Sequence, residues 1–391
     1  MAGLFPSPAA SIEGESEFFA NGVHDDLLTQ LAQLESLRVI SRTSVLEYLD
    51  SSRNIREIGA ALGADAILEG GVQSAAGRIR INAQLIDAGT DEHVWAQTYD
   101  RELTAVNIFE VQTEIARAIA SAMHTTLTPQ DVNQLAVIPT ENMAAYRAFR
   151  RALEIGAAQG IWKNEEYRQA LQQAVELDPM FTRAMAELVG YLSFENFFHE
   201  EDPELVPKAE QLLERIRVLA ANSADYLIAQ SYYTYYTLKD FTRAYELIMR
   251  AEGMRPSDIR LLQVKTWIQR RLGDLEGRAE SFRKLSQLDP RSPGPIISLV
   301  DDLIVSHRYD EARFVIDASG FDVYALAYWS NMLDLREHRN ISRWAEDLEA
   351  IQKDHESGGF FWGDTDTSRL LDLWNAQIAN QDFMRAEQLL A

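Results

Sequence analysis

The chain has 391 residues, 46% of them hydrophobic, and its 37 Lys and Arg against 60 Asp and Glu give a net charge of −23. These values suit a few folded domains rather than wholesale disorder, and the excess of acid disfavours binding to nucleic acid or docking on anionic lipid. The chain contains no cysteine, which excludes disulfides, zinc–thiolate sites, iron–sulfur clusters and cysteine nucleophiles. No apolar run approaches the roughly 20 residues of a membrane helix, so we expect no membrane segment.

The N-terminal third mixes helix-like and strand-like patterns. Residues 18–34 predict an amphipathic helix, because leucines recur there every three to four positions. Residues 37–41 form a short β-prone run. A helix is predicted over residues 55–62, with Asn54 as its N-cap and Gly63 just beyond its last residue.

A three-stranded meander is predicted next, over residues 66–73, 78–86 and 93–99. Polar and apolar residues alternate in the second and third segments, and short turns separate all three. Trp95 and Tyr99 would lie on one face of the last strand, where a place in the core is favoured over a role as a ligand platform.

A helix predicted over residues 108–127 completes an α+β domain over residues 1–127. The three strands of this domain would belong to a small mixed sheet, and its helices would accompany that sheet. Residues 128–142, bracketed by Thr-Pro and Ile-Pro-Thr, are the predicted linker. From there to residue 391 the pattern is almost wholly helical.

The helical part carries an internal repeat. Phe241, Leu275 and Tyr309 are spaced 34 residues apart, as are Pro256 and Pro290. This is the tetratricopeptide (TPR) period, in which each unit is a helical hairpin. The predicted fold is therefore an α+β N-terminal domain followed by an all-α TPR-like superhelix over residues 143–391, with about six hairpins, some of them degenerate.

Two irregularities interrupt the repeat. Residues 199–203 are the predicted insertion in the looser early part. A last unit begins near Asp382, and the chain stops inside the second helix of that unit. Because a solenoid normally ends in a polar capping helix, we expect the sequence to be a truncated part of a longer protein.

Six motifs of the N-terminal part occur in a recognisable order. They are FFANG (18–22), LRVISRTS (37–44), IREIG (55–59), LEGGV (68–72), RINAQLIDA (80–88) and YDREL (99–103). Together they resemble the bacterial TolB-amino-terminal-like (FlgO-like) module that precedes TPR arrays. The resemblance implies an attached output domain, which in that family is a class III adenylate/guanylate cyclase, a winged-helix DNA-binding domain or a kinase.

The start of the sequence departs from that family. Such modules usually open with a strand that reads like Val-Leu-Pro-Phe, whereas only Leu4-Phe5-Pro6 stands here. We therefore expect the first strand to be missing or distorted, which would leave an open sheet edge.

Enzyme motifs are lacking. The sequence has no phosphate-binding P-loop, no Gly-x-Ser-x-Gly elbow and no His-Glu-x-x-His pair, so we expect a non-enzyme without cofactor or metal. The acidic runs at 199–202 and 364–366 are interpreted as solvated loops rather than calcium sites. Gly70 and Gly71 lie inside a predicted strand and favour a bulge or close packing over a phosphate cradle.

The candidate binding site is the groove of the TPR array. The family resemblance implies that certain positions of each first helix line it. Counted back from Pro256, the candidate groove residues are Tyr226, Tyr233, Tyr236, Arg260, Gln263, Trp267, Arg270, Arg271 and Asp301. Arginine forks suit carboxylates, and aromatic side chains anchor peptides. The alternative is that Arg270 and Arg271 pair with neighbouring acids at a helix end while the tyrosines pack between helices.

The expected function is a non-catalytic regulatory or scaffolding region of a bacterial signalling protein. It would bind a protein or peptide and modulate an attached cyclase or DNA-binding domain. We expect no binding of nucleic acid by this chain, and a homo-oligomer is possible. The alternatives are part of an adenylate cyclase whose activity lies in an upstream domain, and a cell-envelope assembly adaptor. The compartment stays open between the cytoplasm, which cyclase fusions favour, and the periplasm, which an upstream transmembrane helix would imply.

Overall fold

The computed structural model describes residues 2–4, 15–48, 51, 53–161, 164–198 and 202–321, together with residues 326, 329, 330 and 333. The chain divides into two compact units, Met1–Arg291 and Ser292–Ala391. The predicted linker at 128–142 falls inside the first unit, and the domain boundaries stay a prediction. The repeat predicted to begin near Asp382 lies outside the described residues.

The first unit begins with a small sheet and its helices. In chain order these are β1 (Ala2–Leu4), α1 (Glu15–Leu31), α2 (Arg42–Leu46), α3 (Ile55–Leu62), β2 (Ala66–Ala75), β3 (Arg78–Asp87), β4 (His93–Glu102), α4 (Ala105–Ala122) and α5 (Pro129–Leu135). The sheet order is β1-β2-β3-β4. Strands β2 to β4 form the antiparallel meander that the sequence predicts.

The first strand is short rather than missing. Residues Ala2–Leu4 pair in parallel with Ile67–Glu69 of β2, so part of the sheet edge that was expected to be open is covered. The sheet is therefore mixed.

One face of the sheet carries the core of the N-terminal part. Helices α1 and α4 pack against each other and against the sheet. Alternate residues of β3, such as Ile79 and Ile81, are buried, as the alternating sequence predicts. Tyr99 is buried in the same cluster and Trp95 packs partly against it, so the prediction that both belong to the core is confirmed.

Local signals decide where α3 begins and ends. The side chain of Asn54 accepts a hydrogen bond from the Glu57 amide, and Glu57 caps Asn54 in return. Gly63 ends the helix with a positive φ of 60°, a conformation that glycine adopts without strain. Both ends match the prediction.

Two short segments differ in part from the sequence patterns. The β-prone run 37–41 forms no strand, and the Ser41 amide donates instead to the Leu288 carbonyl, 2.7 Å away in the last hairpin of this unit. Gly70 and Gly71 lie inside a strand as predicted and pair regularly with β3 without a bulge, and a Cβ added at Gly71 would meet nothing within 4 Å. The irregularity in the meander lies instead between Leu85 and Ile86.

The rest of the first unit consists of four helical hairpins. They are α6 (Met143–Gln159) with α7 (Glu165–Leu177), α8 (Thr182–Phe198) with α9 (Leu205–Ala220), α10 (Ala224–Tyr233) with α11 (Phe241–Glu252), and α12 (Ile259–Leu272) with α13 (Leu275–Leu288). A π-helical turn, Thr234–Leu238, continues α10. In the second unit, α14 (Gly294–Val305) and α15 (Tyr309–Ser319) form a further hairpin.

The hairpins confirm a TPR-like helical region. The second helices α11, α13 and α15 begin at Phe241, Leu275 and Tyr309, which are the positions that the 34-residue period marks. Helices α8 and α9 have 17 and 16 residues, whereas α12 and α13 have 14 each. Of the insertion predicted at 199–203, residues 199–201 lie outside the described part of the chain.

The N-terminal part contacts the turns between successive hairpins. The Ser257 amide, after α11, donates to the Ala32 carbonyl at 3.2 Å. After α13, Asp289 accepts hydrogen bonds from the hydroxyls of Ser41 and Ser44. Residues far apart in sequence therefore join the two parts of the first unit.

An ion-pair network adds to this contact. Arg150 of α6 is completely buried, and its Nη2 lies 2.5 Å from Asp25 of α1. The neighbouring Asp26 accepts a hydrogen bond from the Tyr146 hydroxyl at 2.8 Å and pairs with Arg183 of α8 at 3.0 Å. Two adjacent carboxylates on α1 thus hold side chains from the first two hairpins.

Candidate binding face of the hairpins

The first helices of three successive hairpins, α8, α10 and α12, line one small cavity, which we call the first-helix cavity. Its volume is about 60 Å³, and Tyr167 of α7 and Ile161 complete its wall. Binding sites for whole small molecules are usually several times larger. The cavity therefore suits a single inserted side chain, as anchor residues of protein partners require.

Helix caps fix the start of two of these helices. The Ser223 hydroxyl accepts from the Tyr226 amide at the start of α10, and the Asp258 carboxylate accepts from the Arg260 and Leu261 amides at the start of α12. These caps place Asp225 and Arg260, both in first turns, at the cavity wall.

A salt bridge lies at one side of the cavity. Arg260 Nη1 is 2.5 Å from Glu187 Oε1 of α8, and the Tyr167 hydroxyl is 3.5 Å from the other carboxylate oxygen. The side chain of Arg260 is 48% exposed, and the charge of Glu187 raises the pKa of Arg260. Arg260 is thus a permanent cation with donors directed partly to solvent, which suits an incoming carboxylate.

A second ion pair is more enclosed. Arg255 Nη2 is 2.7 Å from Asp225 Oδ1, and both side chains are only 15% exposed. Burial disfavours the charged form of Arg255, but Asp225 and Asp258 outweigh burial and raise the pKa of Arg255. This pair holds the turn after α11 against the start of α10.

Aromatic side chains form the remaining wall. The rings of Tyr167 and Tyr191 are 5.7 Å apart, Phe194 packs edge-on against Tyr236 at 5.4 Å, and Tyr232 stacks on Tyr236 at 6.1 Å. These distances are typical of favourable aromatic pairs. The wall is therefore apolar next to a charged side.

The tyrosine hydroxyls of this wall are donors at neutral pH. Burial is the main cause that raises the pKa of Tyr191 to about 12, and it raises the pKa of Tyr167 and Tyr232 as well. The nearby Glu187 carboxylate adds to the effect on the latter two. These hydroxyls are therefore neutral, and those of Tyr167 and Tyr191 hydrogen-bond to the carboxylates of Glu187 and Glu195.

The π-helical turn after α10 changes the register of the helix beside this wall. It is followed by Lys239 in the left-handed conformation, with φ of 56°, and the Lys239 ammonium lies 5.6 Å from the Phe197 ring. The turn buries Tyr235 and Tyr236 together. Short π-helical segments of this kind are frequent at functional sites.

The structure brings one predicted groove residue, Arg260, to the first-helix cavity. Tyr233 is buried and its hydroxyl donates to Glu210 of α9 at 2.6 Å, while Tyr236 packs in a core cluster behind the wall. Tyr226 is half-buried between two core clusters. The packing of these tyrosines between helices matches the alternative interpretation.

The other predicted residues lie elsewhere. Trp267 packs partly against the core cluster of α10 to α12, whereas Gln263 and Arg270 are exposed. Arg271 lies near Phe241 and contacts the Tyr235 hydroxyl at 3.3 Å. Asp301 belongs to the second compact unit. A binding role for these residues stays a prediction.

The main cavity residues that the sequence did not single out come from α8 and α10. Glu187, Tyr191 and Phe194 lie on α8, whose unit is lengthened by the insertion, so counting from the regular repeats did not assign them. Tyr232 is one position before the predicted Tyr233. The sequence signal for this site was Gly190, a glycine inside a predicted helix. A Cβ at that position would lie 3.6 Å from the Tyr232 ring.

The described part of the chain also limits other kinds of site. Among those residues, no group of three or more His, Asp or Glu is placed to hold a metal ion. None of the helices described is both long and apolar enough to span a bilayer.

Known proteins resemble parts of this chain. No family model matches it. The Rhizobium meliloti (strain 1021) protein named "Putative adenylate cyclase 3" is 33% identical over 208 residues, covering 53% of this chain and 35% of that protein. The chain thus spans about a third of that relative's length. A solved structure from a functional characterization of Pseudomonas aeruginosa PilF has a TM-score of 0.39 at 18% identity, over 53% of this chain and 91% of that one.

Proposed function

We propose that this chain is a non-catalytic regulatory region of a bacterial signalling protein, and that it binds a peptide segment of a partner at the first-helix cavity. The observation that carries the proposal is the cavity itself, which has room for one side chain between an aromatic wall and the half-exposed Arg260. An anchor residue in a desolvated pocket next to a charge-assisted contact is how many interfaces obtain most of their affinity.

The expected ligand is a segment with an apolar or aromatic anchor and a nearby carboxylate. The anchor would contact Tyr191, Phe194 and Tyr232, and the carboxylate would compete with Glu187 for Arg260. The net charge of −23 opposes highly acidic partners at long range. A single carboxylate beside an apolar residue, as at a chain terminus, therefore fits better than an acidic tract.

We further propose that residues 12–127 form a TolB-amino-terminal-like module and that the output is an adenylate cyclase. The six ordered motifs support the first part, and the name of the Rhizobium meliloti relative supports the second. Regulation would be a population shift, in which the peptide binds two arrangements of the whole protein with different affinity. The chain alone is then expected to form no cyclic AMP from ATP and Mg²⁺.

Selection of a random peptide library on the purified chain tests the binding site. Peptides enriched on the wild type are measured by calorimetry against Arg260→Ala and against Gly190→Ala, which adds a methyl group to the cavity wall at ordinary contact distance. We expect each variant to weaken binding by about tenfold, through the lost charge contact and the reduced space respectively.

Arg217→Ala is the matched control. Arg217 is an exposed arginine of α9 that pairs locally with Glu214, so its removal changes net charge equally without touching the cavity. Peptides that bind all four proteins alike would show that binding occurs elsewhere and would refute the proposed site.

A further inference from the structure

A second and larger cavity lies between the N-terminal part and the hairpins of the first unit, and we call it the junction cavity. Its volume is about 850 Å³, within the range of sites that hold whole small molecules. Helices α1, α4 and α5 form one side, and the other side is formed by the start of α8, by the end of α9 with the turn into α10, and by the turn that precedes α12. It shares only Arg183, Asp225 and Arg255 with the first-helix cavity.

The charges that line the junction cavity cancel. Its four charged side chains form two ion pairs, with Arg183 3.0 Å from Asp26 and Arg255 2.7 Å from Asp225. Each arginine is mostly buried beside its partner. Because an ionic ligand would have to separate one of these pairs in a poorly hydrated place, the cavity favours a neutral molecule.

Side-chain amides dominate the polar lining. Five glutamines and two asparagines line the cavity, and each amide offers both donors and an acceptor. Such a lining matches a molecule whose groups also donate and accept, namely hydroxyls or amides. Phe109 supplies the one aromatic ring of this lining, so a flat base would find a single ring to stack on.

Two of these glutamines carry hydrogen-bonding capacity that no residue in the described part of the chain uses. Gln112 of α4 is fully buried, and neither its amide oxygen nor its amide nitrogen has a partner among the described residues. Gln30 of α1 is 8% exposed, and its amide oxygen likewise has no partner within that part of the chain. Buried amides are normally paired, and unpaired ones in native proteins need an explanation such as a ligand.

We infer that the junction cavity is a binding site for a neutral, hydroxyl- or amide-rich small molecule of about disaccharide size, toward which the unpaired amides of Gln112 and Gln30 turn when it binds. The inference does not rest on the proposed peptide site, with which this cavity shares the three residues named above. Because its walls come from both the N-terminal part and the hairpins, an occupant would stabilise their contact.

Ligand-observed NMR and thermal unfolding of the purified chain test this inference. One arm uses trehalose, sucrose and N-acetylglucosamine, and a second uses adenosine and cytidine, which carry a flat base. Glucose 6-phosphate and AMP serve as charged counterparts. We expect saturable binding and a raised unfolding temperature with at least one neutral sugar, weaker effects with the nucleosides, and none with the charged compounds.

Gln112→Leu is the decisive variant. It is expected to fold with an equal or higher unfolding temperature, because it removes a buried unpaired amide, and to bind the same compound about tenfold more weakly. Gln73→Leu, an exposed position of β2, is the matched control and should bind as the wild type does.

The outcomes separate this site from the peptide site. Arg260→Ala should keep the sugar response, and Gln112→Leu should keep peptide binding. If none of the five neutral compounds binds at millimolar concentration, or if Gln112→Leu binds one as tightly as the wild type, the inference is wrong. Tighter binding of a nucleoside than of any sugar would overturn the assignment to sugars.

Discussion

Replacing Arg150 by methionine tests the ion-pair network that joins α1 to the hairpins. Arg150 is completely buried and its guanidinium lies 2.5 Å from Asp25. Methionine has a similar helix propensity and adapts its flexible side chain to the space. The substitution therefore removes charge and hydrogen bonds while changing backbone preference little.

The expected cost follows from what remains around the two carboxylates. Removing one partner of a buried ion pair costs about 3–5 kcal/mol when the other charge is left uncompensated. Here Asp25 is 23% exposed and keeps Arg42 at 3.3 Å, while Asp26 keeps Arg183 at 3.0 Å. Water and these arginines compensate part of the charge, so we expect a loss of about 2–3 kcal/mol.

Urea unfolding followed by circular dichroism measures this loss. Arg151→Met is the matched control, because Arg151 is the next residue of the same helix and is exposed. We expect the control to lie within about 0.5 kcal/mol of the wild type. Equal stability of the two variants would refute the view that the network contributes to the contact between α1 and α6.

Three further predictions concern particular contacts. Gly59→Ala should lower the unfolding free energy measured in urea by about 1–3 kcal/mol, since the added Cβ would lie 2.5 Å from another side chain. Gly71→Ala, whose Cβ would meet nothing within 4 Å, should raise it by up to about 1 kcal/mol. Equal effects of the two substitutions would contradict this prediction. Burial raises the pKa of Asp25, but Arg150 and Arg42 outweigh burial and hold the pKa below its ordinary 3.8. The stability that this ion pair contributes is present above that pH and is lost as pH falls, so the difference in unfolding free energy between the wild type and Arg150→Met should narrow in acid. A difference that stays constant with pH would refute this prediction. Asp289→Ala should speed amide hydrogen exchange over residues 41–48, because two serine hydroxyls lose their acceptor; unchanged exchange would contradict the docking role.

Local signals in the sequence were sufficient for much of the fold. Strands β2 to β4, the ends of α3 and the 34-residue spacing of the second helices all follow from patterns within a few dozen residues. The contact between Ser41 and Asp289 joins residues 248 positions apart in the sequence. Each residue alone is typical of a helix end, and no repeating pattern in the sequence indicates that the two meet. The docking of α1 and α2 on the hairpins was therefore not predictable.

The candidate site was predictable only in part. Arg260 follows from its place in a regular repeat. Glu187 does not, because its helix belongs to the lengthened unit. Tyr232 does not, because it lies one position before Tyr233, outside the positions that the family resemblance assigns to the groove. The junction cavity depends on how two parts of the chain meet, which single-residue patterns do not encode.

The contacts along the inter-hairpin turns have a consequence for evolution of the repeat number. Ordinary solenoids gain or lose whole units with little penalty, because each unit touches only its neighbours. Here the segment from α1 to α2 contacts Ser257 after α11 and Asp289 after α13, while Thr140 bonds Asp178 after α7. Deleting a unit in between would bring the wrong turn to each of these partners, so the array up to residue 291 has a fixed length, and variation in unit number is expected only beyond it.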